Sequence, residues 1–118
     1  MSDRKKVWAM LVPAAFEPWT PSADVYRTRE GWIVKFDLAG VRLEDVTISI
    51  RGRQVSIAGF RRDSIVEEGC SYYSMEISYN RFERTVEMPS NLDNARVTVE
   101  ARDGILVVRM VTEGSQNV

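Results

Sequence analysis

The amino-acid sequence predicts an all-β domain, an antiparallel β-sandwich. Three observations carry this: apolar side chains recur with a period of two from residue 22 onward, the alternating segments are short and follow at roughly ten-residue spacing, and turn residues separate them. Each such segment buries one face, so the stable arrangement lays sheet upon sheet. In the first clear segment Trp32, Val34, Phe36 and Leu38 alternate with Ile33, Lys35 and Asp37, a half-buried strand. Val46, Ile48 and Ile50 alternate with Thr47 and Ser49. After a turn at Arg51, Gly52 and Arg53, Val55 and Ile57 resume the pattern against Ser56 and Ala58, so the two segments read as a hairpin. Phe82, Val86 and Met88 share the next face, with Glu83, Thr85 and Glu87 opposite, until Pro89 removes a ladder donor and ends the strand. Val97, Val99 and Ala101 alternate with Thr98, Glu100 and Arg102. The Asp103-Gly104 pair offers a tight turn that tolerates positive φ. It leads into residues 105–111, apolar on both faces and therefore expected inside a sheet or under a covering segment.

Helical periodicity lies only ahead of the strands. Val7, Met10, Leu11 and Ala14 fall at i, i+3, i+4 and i+7, with Ser2 as a capping residue and Pro13 limiting the helix, so a short amphipathic arm is expected. Phe16, Pro18, Trp19 and Pro21 make a stiff apolar connector into the first strand. Basic Arg4, Lys5 and Lys6 before the apolar stretch 7–16 have the outline of a secretory leader. That stretch is short, contains Pro13 and meets no small-residue cleavage pattern, so no leader is expected. No run approaches the roughly 18 apolar residues of a membrane span. The organisation read from this is an apolar arm at 1–20, one domain at 21–112 and a short polar tail at 113–118.

A chain of 118 residues and 13.5 kDa builds one core and is too short for two ordinary domains. Its 16 basic and 17 acidic side chains leave a formal charge of -1, far from the basic footprint that phosphate-backbone binding needs, so nucleic acid is not an expected partner. With no histidine, an isolated chain has no Ser-His-Asp or Cys-His catalysis, no histidine metal site and no imidazole switch. No enzymatic activity, cofactor or metal is expected. Cys70, the single cysteine, cannot form an internal disulfide, which suits a reducing compartment, the cytoplasm.

The remaining polar features have plain readings. Glu44-Asp45 and Glu67-Glu68 are neighbours in sequence, so they point to opposite faces of a strand or out of a loop, and are read as solvated. Arg61-Arg62 is not interleaved with aromatic stacking residues and reads as surface solubility. Gly31, Gly40, Gly52, Gly59, Gly69 and Gly104 are read at strand ends and turns, with no phosphate-cradling loop among them. The thiol of Cys70 follows Glu67 and Glu68, whose charge disfavours the thiolate. Arg84 stands out because the period places it on the face of Phe82, Val86 and Met88. It is expected either where that face meets solvent or paired with a carboxylate, one from another subunit included.

Taken in order, several segments resemble the α-crystallin domain of small heat-shock proteins. They are Ala23-Asp24-Val25-Tyr26, DLAGV at 37–41, LEDV at 43–46, SIAGFRR at 56–62, SYNRFERTVEMP at 78–89, and Asp103-Gly104-Ile105-Leu106, the last like the family's Gly-Val-Leu signature. The resemblance covers about residues 21–111 and implies an immunoglobulin-like sandwich. Ala39 stands where the family usually has proline, Asn80 where it has glycine and Val99 where it has alanine; Asn80 is expected to keep the positive φ that glycine would adopt. Val111-Thr112 replaces the usual Pro-Lys, and the tail carries no Ile-x-Ile anchor of the kind that docks in a neighbouring dimer, so large assemblies built on that anchor are not expected.

What the resemblance implies is an ATP-independent holdase, a chaperone that binds partly unfolded clients through apolar surface. It gives the arm residues Trp8, Met10, Leu11, Val12, Phe16 and Trp19 a purpose as adaptable client contacts. In bacterial-type members a strand from the long loop pairs with the partner's first strand. Here Tyr72, Tyr73, Met75 and Ile77, in the strand-like segment 72–77, would meet Ala23, Asp24, Val25 and Tyr26 of a second copy, with Arg84 at the interface, giving a homodimer and room for higher oligomers. A second family surface is a groove between edge strands, here lined by Val46, Ile48, Val97 and Val99, where clients or tails dock and where Met10-Leu11-Val12 could take the missing anchor's place. The competing class is a co-chaperone-like adaptor or a regulatory subunit of mixed oligomers. Adaptor domains with this sandwich do not characteristically carry the Gly-Val-Leu and Phe-x-Arg segments.

Overall fold

Residues 18–112, which the computed structural model describes, form seven strands. They are β1 Ala23–Arg27, β2 Gly31–Asp37, β3 Val46–Arg51, β4 Gln54–Arg61, β5 Asn80–Glu87, β6 Arg96–Arg102 and β7 Ile105–Val111. A one-turn 3-10 helix, Leu43–Asp45, precedes β3. One sheet has the order β1-β2-β7-β6 and the other β3-β4-β5, with antiparallel pairing throughout both ladders. The two sheets face each other across Val34, Phe36, Leu106, Val108 and Met110 on one side and Val55, Ile57, Phe82, Val86 and Met88 on the other. This is the expected all-β sandwich.

Register explains the sequence pattern. Pairing of Val34 with Val108 and of Phe36 with Leu106 keeps the apolar sets of β2 and β7 on the inner face, since a shift of one residue would turn every side chain outward. The two-sided apolarity of β7 follows from its place between β2 and β6. Val107, on the outer face, is only 7% exposed. Asp103 and Gly104 both adopt positive φ, 52° and 81°, in the two-residue turn from β6 to β7 that the Asp-Gly pair predicts. Asn80 has φ 145°, the positive value expected of it as a glycine replacement.

Other features differ from the sequence reading. Gly59 lies inside β4, not at a strand end, and a Cβ there would collide with the carbonyl of Asp45 and come within 2.8 Å of the Phe82 ring. The segment 72–77, strand-like in composition, belongs to no strand in this single chain. The arm expected to be helical, with Val7, Met10, Leu11 and Ala14, and the tail at 113–118 lie outside the described residues.

Candidate functional site

Four strands end the two sheets, and they differ in what covers them. β5 is joined on its open side by the connector: Trp19 bridges Phe82 in parallel, its N–H donating to the Arg81 carbonyl at 3.1 Å and its own carbonyl accepting from Glu83 N–H at 3.2 Å. The Trp19 ring lies 5.3 Å from that of Phe82, a tilted contact that packs the connector onto the sandwich from this point. Trp19, expected among client-facing residues, is thus half-buried on its own domain, while Trp8, Met10, Leu11, Val12 and Phe16 lie outside the described residues.

Two arginines hold this connector. Arg84 is half-buried, and within this one chain it is held by backbone. Its Nη1 donates to the Pro21 carbonyl at 3.1 Å, so its charge is solvated by the backbone of the same chain. Arg61, read as surface solubility, is half-buried too. It stands at the inward positions of β4 after Val55, Ile57 and Gly59, and its guanidinium binds carbonyls of Ser78 and Ala39 while stacking on Trp19. The period-two pattern could not show this, because the last inward position of a strand lies at the mouth of the sandwich, where a long polar side chain folds back over the rim.

The adjacent acidic pair also divides. Glu44 is solvated as expected, its side chain 70% exposed, but the Asp45 side chain is 11% exposed. Asp45 accepts two bonds from Arg62, at 2.9 and 3.1 Å, and lies 3.6 Å from Arg42. The hydrogen bond from Arg62 holds the Asp45 carboxyl below its usual value. Partial desolvation opposes this and the charges of Arg62 and Arg42 add to it. The pair fastens the 3-10 turn to the end of β4, and so fixes where β3 begins.

The other edges are open. β1 is the outer strand of its sheet, and Val25 and Tyr26 are 44% and 43% exposed there. β3 and β6 are the edges on the opposite side of the sandwich. Val46, Ile48 and Ile50 pack half-buried against the core, while Val97 and Val99 on β6 are exposed. At one end of this opening a cavity of about 120 Å³ is lined by Leu38, Val41, Leu43, Val46, Ala101 and Leu106 among others. Between β4 and β5 runs the loop 62–79, longer than the roughly 12–15 residues that structureless connections ordinarily reach. It exposes Ile65, Val66, Tyr72, Tyr73 and Ile77, with Met75 half-buried. Cys70 is exposed on the same loop. Among the described residues no helix is long and apolar enough to cross a membrane.

Two antiparallel sheets packed face to face, with open edge strands and a long loop between β4 and β5, define an all-β sandwich domain of the immunoglobulin-like class, and direct comparison makes this specific. The chain belongs to the Hsp20/alpha crystallin family, whose description matches residues 24–117. It is 32% identical over 98 residues to Spore protein SP21 of Stigmatella aurantiaca, covering 83% of this chain and 56% of that one. Small heat shock protein C4 of Rickettsia felis is 26% identical over 91 residues, covering 77% and 56%. Among solved structures, heat shock protein 16.0 from Schizosaccharomyces pombe superposes with a TM-score of 0.70 at 26% identity, over 80% of this chain and 88% of that one. The chain thus spans just over half the length of these two curated relatives.

Proposed function

We propose that the chain is an ATP-independent holdase of the cytoplasm that captures partly unfolded proteins and keeps them from aggregating. The observation that carries the reading is the pair of open edges on one stable core, β1 with Val25 and Tyr26 and β6 with Val97 and Val99. Isolated soluble domains ordinarily blunt such edges, since unpaired backbone beside apolar side chains invites another chain. At about 25 cal/mol per Å², about 200 Å² of apolar contact contributes about 5 kcal/mol before the cost of association, enough for capture that reverses.

The β1 edge is assigned to a second copy. Tyr72, Tyr73, Met75 and Ile77 of one protomer would lie along Ala23, Asp24, Val25 and Tyr26 of the other. Exposure of the loop's aromatic residues in the single chain supports this, and Arg84 beside Pro21 would hold the start of β1 in place. The β3–β6 opening, with Val46, Ile48, Val97 and Val99, is left for clients or for residues of the arm. The test is a heat-aggregation assay with a melting client and no nucleotide, run with a native mass on the same preparation. Protection by a dimer or larger species supports the holdase; a monomer that gives no protection defeats it and leaves the adaptor reading.

A further inference from the structure

Arg61 ends β4, paired in register with Asn80, and its side chain joins three segments that are distant in sequence. Its Nε donates to the Ser78 carbonyl at 2.7 Å and its Nη1 to the Ala39 carbonyl at 3.1 Å. The guanidinium carbon lies 4.1 Å from the centre of the Trp19 ring and 6.0 Å from that of Tyr79. Trp19 is where the arm meets the sandwich, Ser78 and Tyr79 are the last residues of the loop, and Ala39 follows β2. A charged donor bound to two carbonyls and roofed by an indole face is a cooperative arrangement, since each contact excludes water from the others.

We infer that Arg61 is a positioning residue that couples the exit of the N-terminal arm to the seat of the loop 62–79, so that the two loosen together. If Trp19 lifts away, the guanidinium loses its roof and water competes for the Ser78 carbonyl. If the loop end swings out, the charge above Trp19 loses its best acceptor, and the indole loses the cation that holds it. Lysine cannot take this role, because one ammonium does not reproduce a planar fork that bonds in its plane and stacks across it. The inference rests on the reading of arm and loop as the client- and partner-binding parts. It makes them one device: a copy whose loop is drawn toward a partner also loosens Trp19, where the connector meets the sandwich.

The experiment uses the full chain with fluorotyrosine incorporated. Fluorine NMR of Tyr79 reports the loop seat, with fully exposed Tyr73 as internal reference, and amide exchange at Trp19 and Glu83 reports the arm exit. Arg61→Lys is expected to speed exchange at both amides at least tenfold and to move the Tyr79 signal toward that of Tyr73. Trp19→Ala, or Trp19→Phe should the alanine variant not fold, is expected to move the Tyr79 signal the same way, although in the structure the contact between them runs through Arg61. Arg62→Ala, which loses only the neighbouring pair with Asp45, is expected to move neither. A Tyr79 signal indifferent to Trp19 overturns the coupling, as does an equal response to Arg62→Ala. Both readouts apply to a monomer, so failure of the holdase reading is seen separately, in the aggregation assay.

Discussion

Gly59 is set by contacts that no local sequence signal announces. A Cβ added there would meet both the Asp45 carbonyl and the Phe82 ring, each fixed by the sandwich. Gly59→Ala is therefore expected to cost about 2 kcal/mol, as overpacking in a rigid site does, read from the urea midpoint at unchanged m-value. The same neighbourhood sets a pH dependence. The Asp45 carboxyl is held below its usual value by Arg62, so the folded state binds its proton less readily than the unfolded chain. Its contribution is thus fully present above the unfolded value of about 4 and is lost as pH falls through the lower folded one. Comparing urea midpoints with Asp45→Asn, the difference should be flat between pH 7 and 5 and close below about pH 4; a gap that widens in acid contradicts the assignment. Asp103 was legible because its conformation follows from residue type and turn length, and Asn80 because the family that the chain resembles places glycine there. Arg61 and Asp45 were not, because their partners come from segments far along the chain, and spacing carries no information about such meetings.

At the scale of elements, the strands were legible and their unpaired edges only partly so. Alternation marks which face of a strand is buried, and burial is why Trp32 to Leu38 and Val46 to Ile57 read correctly. Which strand ends a sheet depends on chain order in space, which alternation does not encode. For β6, the exposure of Val97 at 41% means that Val97→Lys should cost little stability, within about 1 kcal/mol, since the longer stem reaches solvent. If the opening beside β3 receives clients, the same change should reduce protection in the aggregation assay several-fold; undiminished protection would remove β6 from the client surface. For the loop, composition suggested a strand at 72–77, yet a strand needs a partner and the segment pairs with none within the single chain. Deleting 72–77 should then leave the sandwich folded and yield monomer by sedimentation velocity. A persistent dimer would place the interface elsewhere.

For the whole molecule, the question is where the arm stops and the domain starts. Composition puts the boundary near residue 20, but the packed unit begins at the connector, with Trp19 hydrogen-bonded to β5, stacked near Phe82 and covered by Arg61, and with Pro21 buried behind it. The two boundaries make opposite forecasts for truncation. Removing residues 1–17 takes away apolar side chains assigned to clients and none of these contacts, whereas removing 1–20 also strips Trp19 from the rim of the core. Full truncation of a buried tryptophan costs about 3–5 kcal/mol; for a half-buried one, about 2 kcal/mol is expected. In a domain of this size each kcal/mol lowers the midpoint by roughly 4–8 °C, so the longer deletion should melt roughly 8–16 °C below the shorter. Client protection should already have fallen with the shorter deletion, before stability is touched by the loss of Trp19. Equal melting of the two would show that Trp19 contributes nothing to the core, and full protection by the shorter would show that client capture needs only the edges of the sandwich.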